Sequence, residues 1–239
     1  MGRPRSSLTI AGIPFHIAPS WLVVAAFMTW SLATGYFPSQ YPWFSVPAYW
    51  GMGLAASLLL FGCILLHELG HALVARRCGI TVLDMTLFLF GGVARLAADP
   101  RRPAIELLVA LAGPLVSAAL AGLCWLAGAW VHVDSRASLI AVAILRYLAM
   151  INIGLILFNL LPGFPLDGGR ILRAAVWGWT GNLRAATRVA SAIGSALGLG
   201  LIGLGIWVMV RGAGLHGLWY VLLGMFLRNA AQASFRHNR

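Results

Sequence analysis

The chain contains no lysine, only six carboxylates and only three cysteines in 239 residues; all seventeen basic side chains are arginine. Three cysteines, an odd number without metal-type spacing, exclude a disulfide framework. Charged residues make up 10% of the chain against 60% hydrophobic residues, and the mean hydropathy is +0.86. That poverty of charge excludes an ordinary soluble domain and points to a polytopic membrane protein. The net charge of +11 would suit a nucleic-acid binder if it were clustered. The arginines instead are dispersed and border apolar runs, which is the pattern of membrane orientation, so no nucleic-acid partner is expected.

Hydropathy predicts an all-α protein of about six spans, roughly Trp21–Phe37, Met52–Ala75, Ile105–Val131, Ser138–Leu161, Val189–Val210 and Leu215–Leu227. With both termini cytoplasmic, Arg76, Arg77, Arg95, Arg101, Arg102, Arg170 and Arg173 fall inside, and so do most others. Only Arg136 and Arg211 fall in outer loops, while Arg146 lies within the fourth span. The expected location is therefore the cell membrane, multi-pass. No removable signal peptide is evident.

Within the second run stands His67-Glu68-Leu69-Gly70-His71. Histidines four apart share one helix face and can bind one metal ion, and the intervening glutamate suits a general base toward metal-bound water. Ionisable groups inside an apolar span are costly and so point to function. If the span emerges near Arg76, His67 lies roughly 13 Å below the surface. Cys63 shares the same face, either as a further donor or as a small packing residue.

Two histidines and a water leave a tetrahedral site short of one protein ligand. The other carboxylates are Asp84, Asp99, Glu106, Asp134 and Asp167. Asp167 stands apart, because the stretch from Asn159 to Gly169 holds Pro162, Gly163, Pro165, Gly168 and Gly169, which must break an apolar helix. Broken backbone at membrane depth is tolerated only where it is buried or lines a watery cavity. Such a break could present Asp167 to the metal; an ordinary exit turn capped by Asp167 is the alternative. A fourth span beginning nearer Arg146 would put that arginine at the outer interface and return the chain as helix from Gly168 to about Trp177.

HELGH and the Asn159–Gly169 element, in this order and in apolar spans, resemble the site-2 proteases, the zinc intramembrane metalloproteases of peptidase family M50. The resemblance implies one Zn2+ bound by His67, His71 and Asp167, Glu68 as general base, and Asn159 near the substrate carbonyl. It implies a single transmembrane metalloprotease domain over residues 1–239, with a core at about 52–178 and two further helices in 189–230. The substrate would be a single-span membrane protein, cut in or near its transmembrane helix.

The stretch Thr81–Leu96 resembles the family's re-entrant β-hairpin, with Phe90, Gly91, Gly92 and Val93 expected to pair with an unwound substrate. Gly113-Pro114-Leu115-Val116-Ser117 resembles a Gly-Pro element of relatives, with Gly113 and Ser117 read as close-packing residues. The segment Gly12–His16 is most similar to the branch that carries nucleotide-sensing CBS modules, yet neither those modules nor a PDZ insertion fits this chain. Regulatory modules or a partner would lie outside it. A catalytically inactive helix binder is disfavoured by the intact motif. A metal transporter is disfavoured by the lack of ligand residues toward the outer face.

Overall fold

A computed structural model describes residues 8–88, 91–212 and 214–237. The described residues are helical, as the hydropathy predicted, with one small sheet. Among the described residues, five helical stretches are long and apolar enough to cross a membrane: Ser20–Gln40, Val46–Arg77, Pro103–Trp130, Arg136–Asn159 and Leu183–Val210. A further helix, Gly214–His237, covers the expected sixth run. The chain is a multi-pass membrane protein whose residues group into two compact units.

The first unit holds the described residues up to Asp99 together with Leu115–Ile156. Strands β1 (Leu8–Ile10) and β2 (Ile13–Ile17) precede α1 (Ser20–Ser31), a π-turn at Leu32–Tyr36 and the short α2 (Phe37–Gln40). Helix α3 runs for 32 residues, Val46–Arg77. Pro47 suits its first turn, where an amide hydrogen is dispensable, and Arg76 and Arg77 sit against the negative end of its dipole. It stops at Gly79, whose φ of +79° lets the Ile80 amide reach back to the Ala75 carbonyl.

Strands β3 (Val82–Phe88) and β4 (Gly91–Leu96) form the expected hairpin, whose turn residues Leu89 and Phe90 lie outside the described residues. The sheet is larger than expected. β2 pairs in parallel with β3, Phe15 opposite Met85, and the order is β1-β2-β3-β4. Leu32, Phe37, Met52, Leu60, Cys63, Tyr147 and Leu148 form this unit's apolar core. Cys63 is thus a packing residue there.

Helices α4 (Pro103–Trp130) and α5 (Arg136–Asn159) contribute to both units. Helix α5 starts at Arg136, just ahead of the expected boundary at Ser138 and well before Arg146. The reason is local: the Ser135 hydroxyl accepts from the Ser138 amide at 3.2 Å and caps the first turn.

The second unit holds Pro100–Pro114 and the described residues from Leu157 onward. Helix α5 ends at Asn159, and the chain turns irregularly until α6 (Asp167–Thr180) resumes, as the prolines and glycines predicted. The Asn182 side chain caps α7 (Leu183–Val210) by accepting from the Ala185 amide at 3.0 Å. Helix α8 (Gly214–His237) packs along α7. Bare glycines allow that approach: a side chain at Gly205 would meet the Gly217 carbonyl at 2.6 Å.

Candidate active site

Helix periodicity stacks His67 and His71 on one face of α3, and both are buried, at 3% and 5% exposure. Their Nε2 atoms stand 3.3 Å apart. A tetrahedral zinc ion with Zn–N bonds of about 2.0–2.1 Å holds its ligand nitrogens about 3.3–3.4 Å apart. The pair therefore fits two corners of such a site, and neutral imidazole suits zinc.

The other nitrogen of His67 is engaged as well. His67 Nδ1 lies 2.8 Å from the hydroxyl of Ser117, which is fully buried on α4. Partnering Nδ1 fixes the ring orientation and leaves Nε2 for a metal, the usual arrangement around ligating histidines. The sequence offered Ser117 only as a small packing residue; its hydrogen bond spans fifty positions of chain, and no local pattern announces it.

Glu68 follows His67 on α3 and is half-buried. Strand β4 lies against it, since a Cβ built on Gly92 would come within 2.5 Å of Glu68 Cγ. Any side chain there would displace the carboxylate. Of the other hairpin residues expected to meet a substrate, Gly91 and Val93 lie in β4, and Phe90 lies outside the described residues. Within the hairpin, Asp84 and Arg95 face each other across β3 and β4, with Arg95 Nε donating to Asp84 at 2.8 Å. That hydrogen bond holds the Asp84 carboxyl below the usual carboxylate range. Asp84 is thus occupied in an ion pair.

In the second unit, Asn159 closes α5 and Asp167 opens α6. Asp167 is 9% exposed, and an acid in the first turn is favoured by the helix dipole. The two glycines that follow it have a steric reason. A Cβ on Gly168 would strike the carbonyl oxygens of Leu160 and Leu161, and one on Gly169 would strike Gly163 and Phe164. The irregular turn is thus folded directly against the first turn of α6. The Phe164 amide donates to the Ala190 carbonyl of α7 at 3.1 Å, and a Cβ on Gly163 would lie 2.6 Å from the Gly194 Cα.

A buried ion pair tightens the same unit. Arg173 of α6 and Glu106 of α4 are 5% and 0% exposed, and Arg173 Nε donates to Glu106 Oε1 at 2.5 Å. The guanidinium also lies 5.1 Å from the centre of the Phe164 ring, within cation–π range. Sequence reasoning set Glu106 aside and read Arg173 as an orientation charge. Nothing in their spacing reveals the pair.

Known proteins give the same direction. The profile of peptidase family M50 matches residues 55–136 and 129–201. A protein of Synechocystis named as a candidate zinc metalloprotease is 38% identical over 96% of this chain. Rip3 of Mycobacterium tuberculosis, named in the same way, is 39% identical over 93% of it. The chain spans 59% and 56% of the lengths of those two relatives. Among solved structures, the site-2 protease from Methanocaldococcus jannaschii superposes with a TM-score of 0.64 at 26% identity, covering 95% of this chain and 93% of that one. With the zinc-suited histidine pair on an apolar helix and this breadth of similarity, the chain belongs to peptidase family M50, the site-2 protease family.

Proposed function

We propose that the protein is a zinc endopeptidase that hydrolyses a peptide bond in or near the transmembrane helix of a single-span membrane protein. The observation that carries this reading is the histidine pair, with Nε2 atoms separated by the edge of a zinc tetrahedron and set in an apolar span. The relatives' naming as zinc metalloproteases supports the choice of metal.

His67 and His71 supply two ligands and Asp167 the third, a donor set of two imidazoles and a carboxylate that suits catalytic zinc. When bound, the ion lowers the pKa of a water and polarises the scissile carbonyl. Glu68 takes the proton of the attacking water and returns it to the leaving amine. The Asn159 side-chain amide donates to the carbonyl oxygen as charge develops there. A helical substrate hides its carbonyls in hydrogen bonds and must unwind first. The free edge of β4, from Gly91 through Val93, offers the unwound segment backbone partners without choosing among side chains. Phe90 belongs to the same proposed contact.

In this reading the domain works in the cell membrane with both termini cytoplasmic, and residues 52–178 form its catalytic core. The test uses detergent-purified protein, a single-span substrate and elemental analysis. Wild type should carry one zinc per chain and cut. His67→Ala/His71→Ala should lose nearly all zinc and all cleavage. Stoichiometric zinc in that variant would move the site elsewhere.

A further inference from the structure

Arg146 stands away from the proposed chemistry. It is an exposed residue on α5, deep in a helix of 24 residues that qualifies as a membrane span. No hydrogen bond or ion pair engages it among the described residues. Its surroundings are those of a lipid-facing surface: Trp125, Met150 and Ile153 are 65%, 48% and 51% exposed. With Ala149, these residues and Arg146 line an open groove of about 400 Å³. An unpaired guanidinium in hydrocarbon is costly unless an anion meets it.

The helix geometry shows which anion can. Helix α4 ends at Trp130 and α5 begins at Arg136, joined by a short exposed loop carrying Asp134 and Ser135. As the exposed link between two helices long and apolar enough to span a membrane, that loop is taken as the level of the membrane surface. Along α4, Trp125 lies roughly 7.5 Å from the helix end, and along α5 the Arg146 Cα lies roughly 15 Å from the start, at 1.5 Å per residue. Side chains on a helix lean toward its N-terminus. The arginine stem therefore climbs back toward the surface, while Trp125, on a helix running the other way, leans inward. The two meet at one level, and both line the same groove. That level is the interfacial belt where tryptophan is favoured and where arginine reaches headgroups by snorkelling.

We infer that Arg146 and Trp125 form a binding site for one glycerophospholipid. The Arg146 guanidinium takes the phosphate through paired N–H···O contacts, for which its planar fork is suited. The Trp125 indole N–H faces the glycerol-ester level, and one acyl chain lies in the groove along Ala149, Met150 and Ile153. The site is separate from the proposed peptidase chemistry and does not depend on it.

Native mass spectrometry of the full chain in neutral detergent, titrated with phosphatidylglycerol, provides the test. Wild type should retain one tightly held lipid that Arg146→Leu binds about tenfold more weakly or worse, the scale of a lost charge-assisted contact. Arg146→Lys should keep part of the affinity. Ile153→Trp, which leaves the charge and fills the groove, should expel the same lipid and guards against misfolding of the leucine variant. Diacylglycerol of the same chains should not compete, and inorganic phosphate should not displace the lipid. Equal retention by wild type, Arg146→Leu and Ile153→Trp would overturn the proposal. So would equal competition by diacylglycerol, which means an apolar wedge, or displacement by phosphate, which means a free-anion site. Unchanged lipid binding with lost capture of a single-span protein bearing an acidic residue would also overturn it, since the arginine would then read a protein helix.

Discussion

His67 and His71 are presented by an unbroken helix, whereas Asp167 is presented by a helix that stops and restarts. On α3 the spacing of four residues is enough to bring two imidazole nitrogens to 3.3 Å, whatever the rest of the chain does. Around Asp167 the backbone from Leu160 to Leu166 has no repeating hydrogen bonds of its own. It is held by the Ala190 carbonyl, by glycines that admit close backbone approach, and by the Arg173 guanidinium over Phe164. Regular structure positions one set of side chains cheaply and rigidly. Irregular structure needs tertiary contacts for every turn, and so should be far easier to disturb.

Arg173→Leu should produce the largest effect on the irregular region. It removes one half of a buried ion pair, a loss that costs about 3–5 kcal/mol. The double variant Glu106→Gln/Arg173→Met removes both charges and should unfold within about 1 kcal/mol of wild type. Thermal unfolding in detergent reads both. If the single variant were as stable as wild type, the ion pair would have no part in holding this unit.

Glycine substitution sharpens the contrast. A Cβ on Gly194 would run into the Phe164 carbonyl. Because the obstacle is backbone, Gly194→Ala should lie at the upper end of the usual overpacking cost of about 1–3 kcal/mol. Gly62 on α3 has nothing within 4 Å of its would-be Cβ. Gly62→Ala should therefore leave stability unchanged or raise it by about 0.5–1 kcal/mol, through the helix preference for alanine over glycine. Equal responses at the two positions, measured by the same unfolding assay, would erase the distinction between the regions.

These cases show how much of the molecule was legible in the sequence. The histidine pair was readable because its spacing is local and matches the helix repeat. The interruption between Asn159 and Asp167 was readable because Pro162, Gly163 and Pro165 forbid regular helix. The parallel pairing of β2 with β3 was not, since Phe15 and Met85 are far apart in the chain and neither short strand signals its partner. The start of α5 at Arg136 lies just ahead of the Ser138 boundary that hydropathy predicts, because the Ser135 cap sets it. Ser117 and the Glu106–Arg173 pair escaped for the same reason as β2. Each matters through a contact between distant segments.

Ser117 tests whether the regular region is also sufficient on its own. If helix α3 alone orients His67, loss of the Ser117 hydroxyl should be harmless. Because that hydroxyl partners His67 Nδ1 at 2.8 Å, Ser117→Ala should instead weaken zinc binding roughly 10–100-fold, the usual range for such outer partners. Ser117→Thr, which keeps the hydroxyl, should bind zinc normally. Competition with a chelator of known affinity reads this without any cleavage assay.

The central claim is that Glu68 performs proton transfer beside a metal held by other residues. Its most direct test is Glu68→Gln, with zinc content and cleavage of a single-span substrate measured on the same preparation. The expected result is full zinc occupancy, unchanged substrate binding and a rate lowered by roughly 10² or more, the scale of lost acid–base catalysis. Near-normal cleavage by a zinc-replete Glu68→Gln protein would contradict the account.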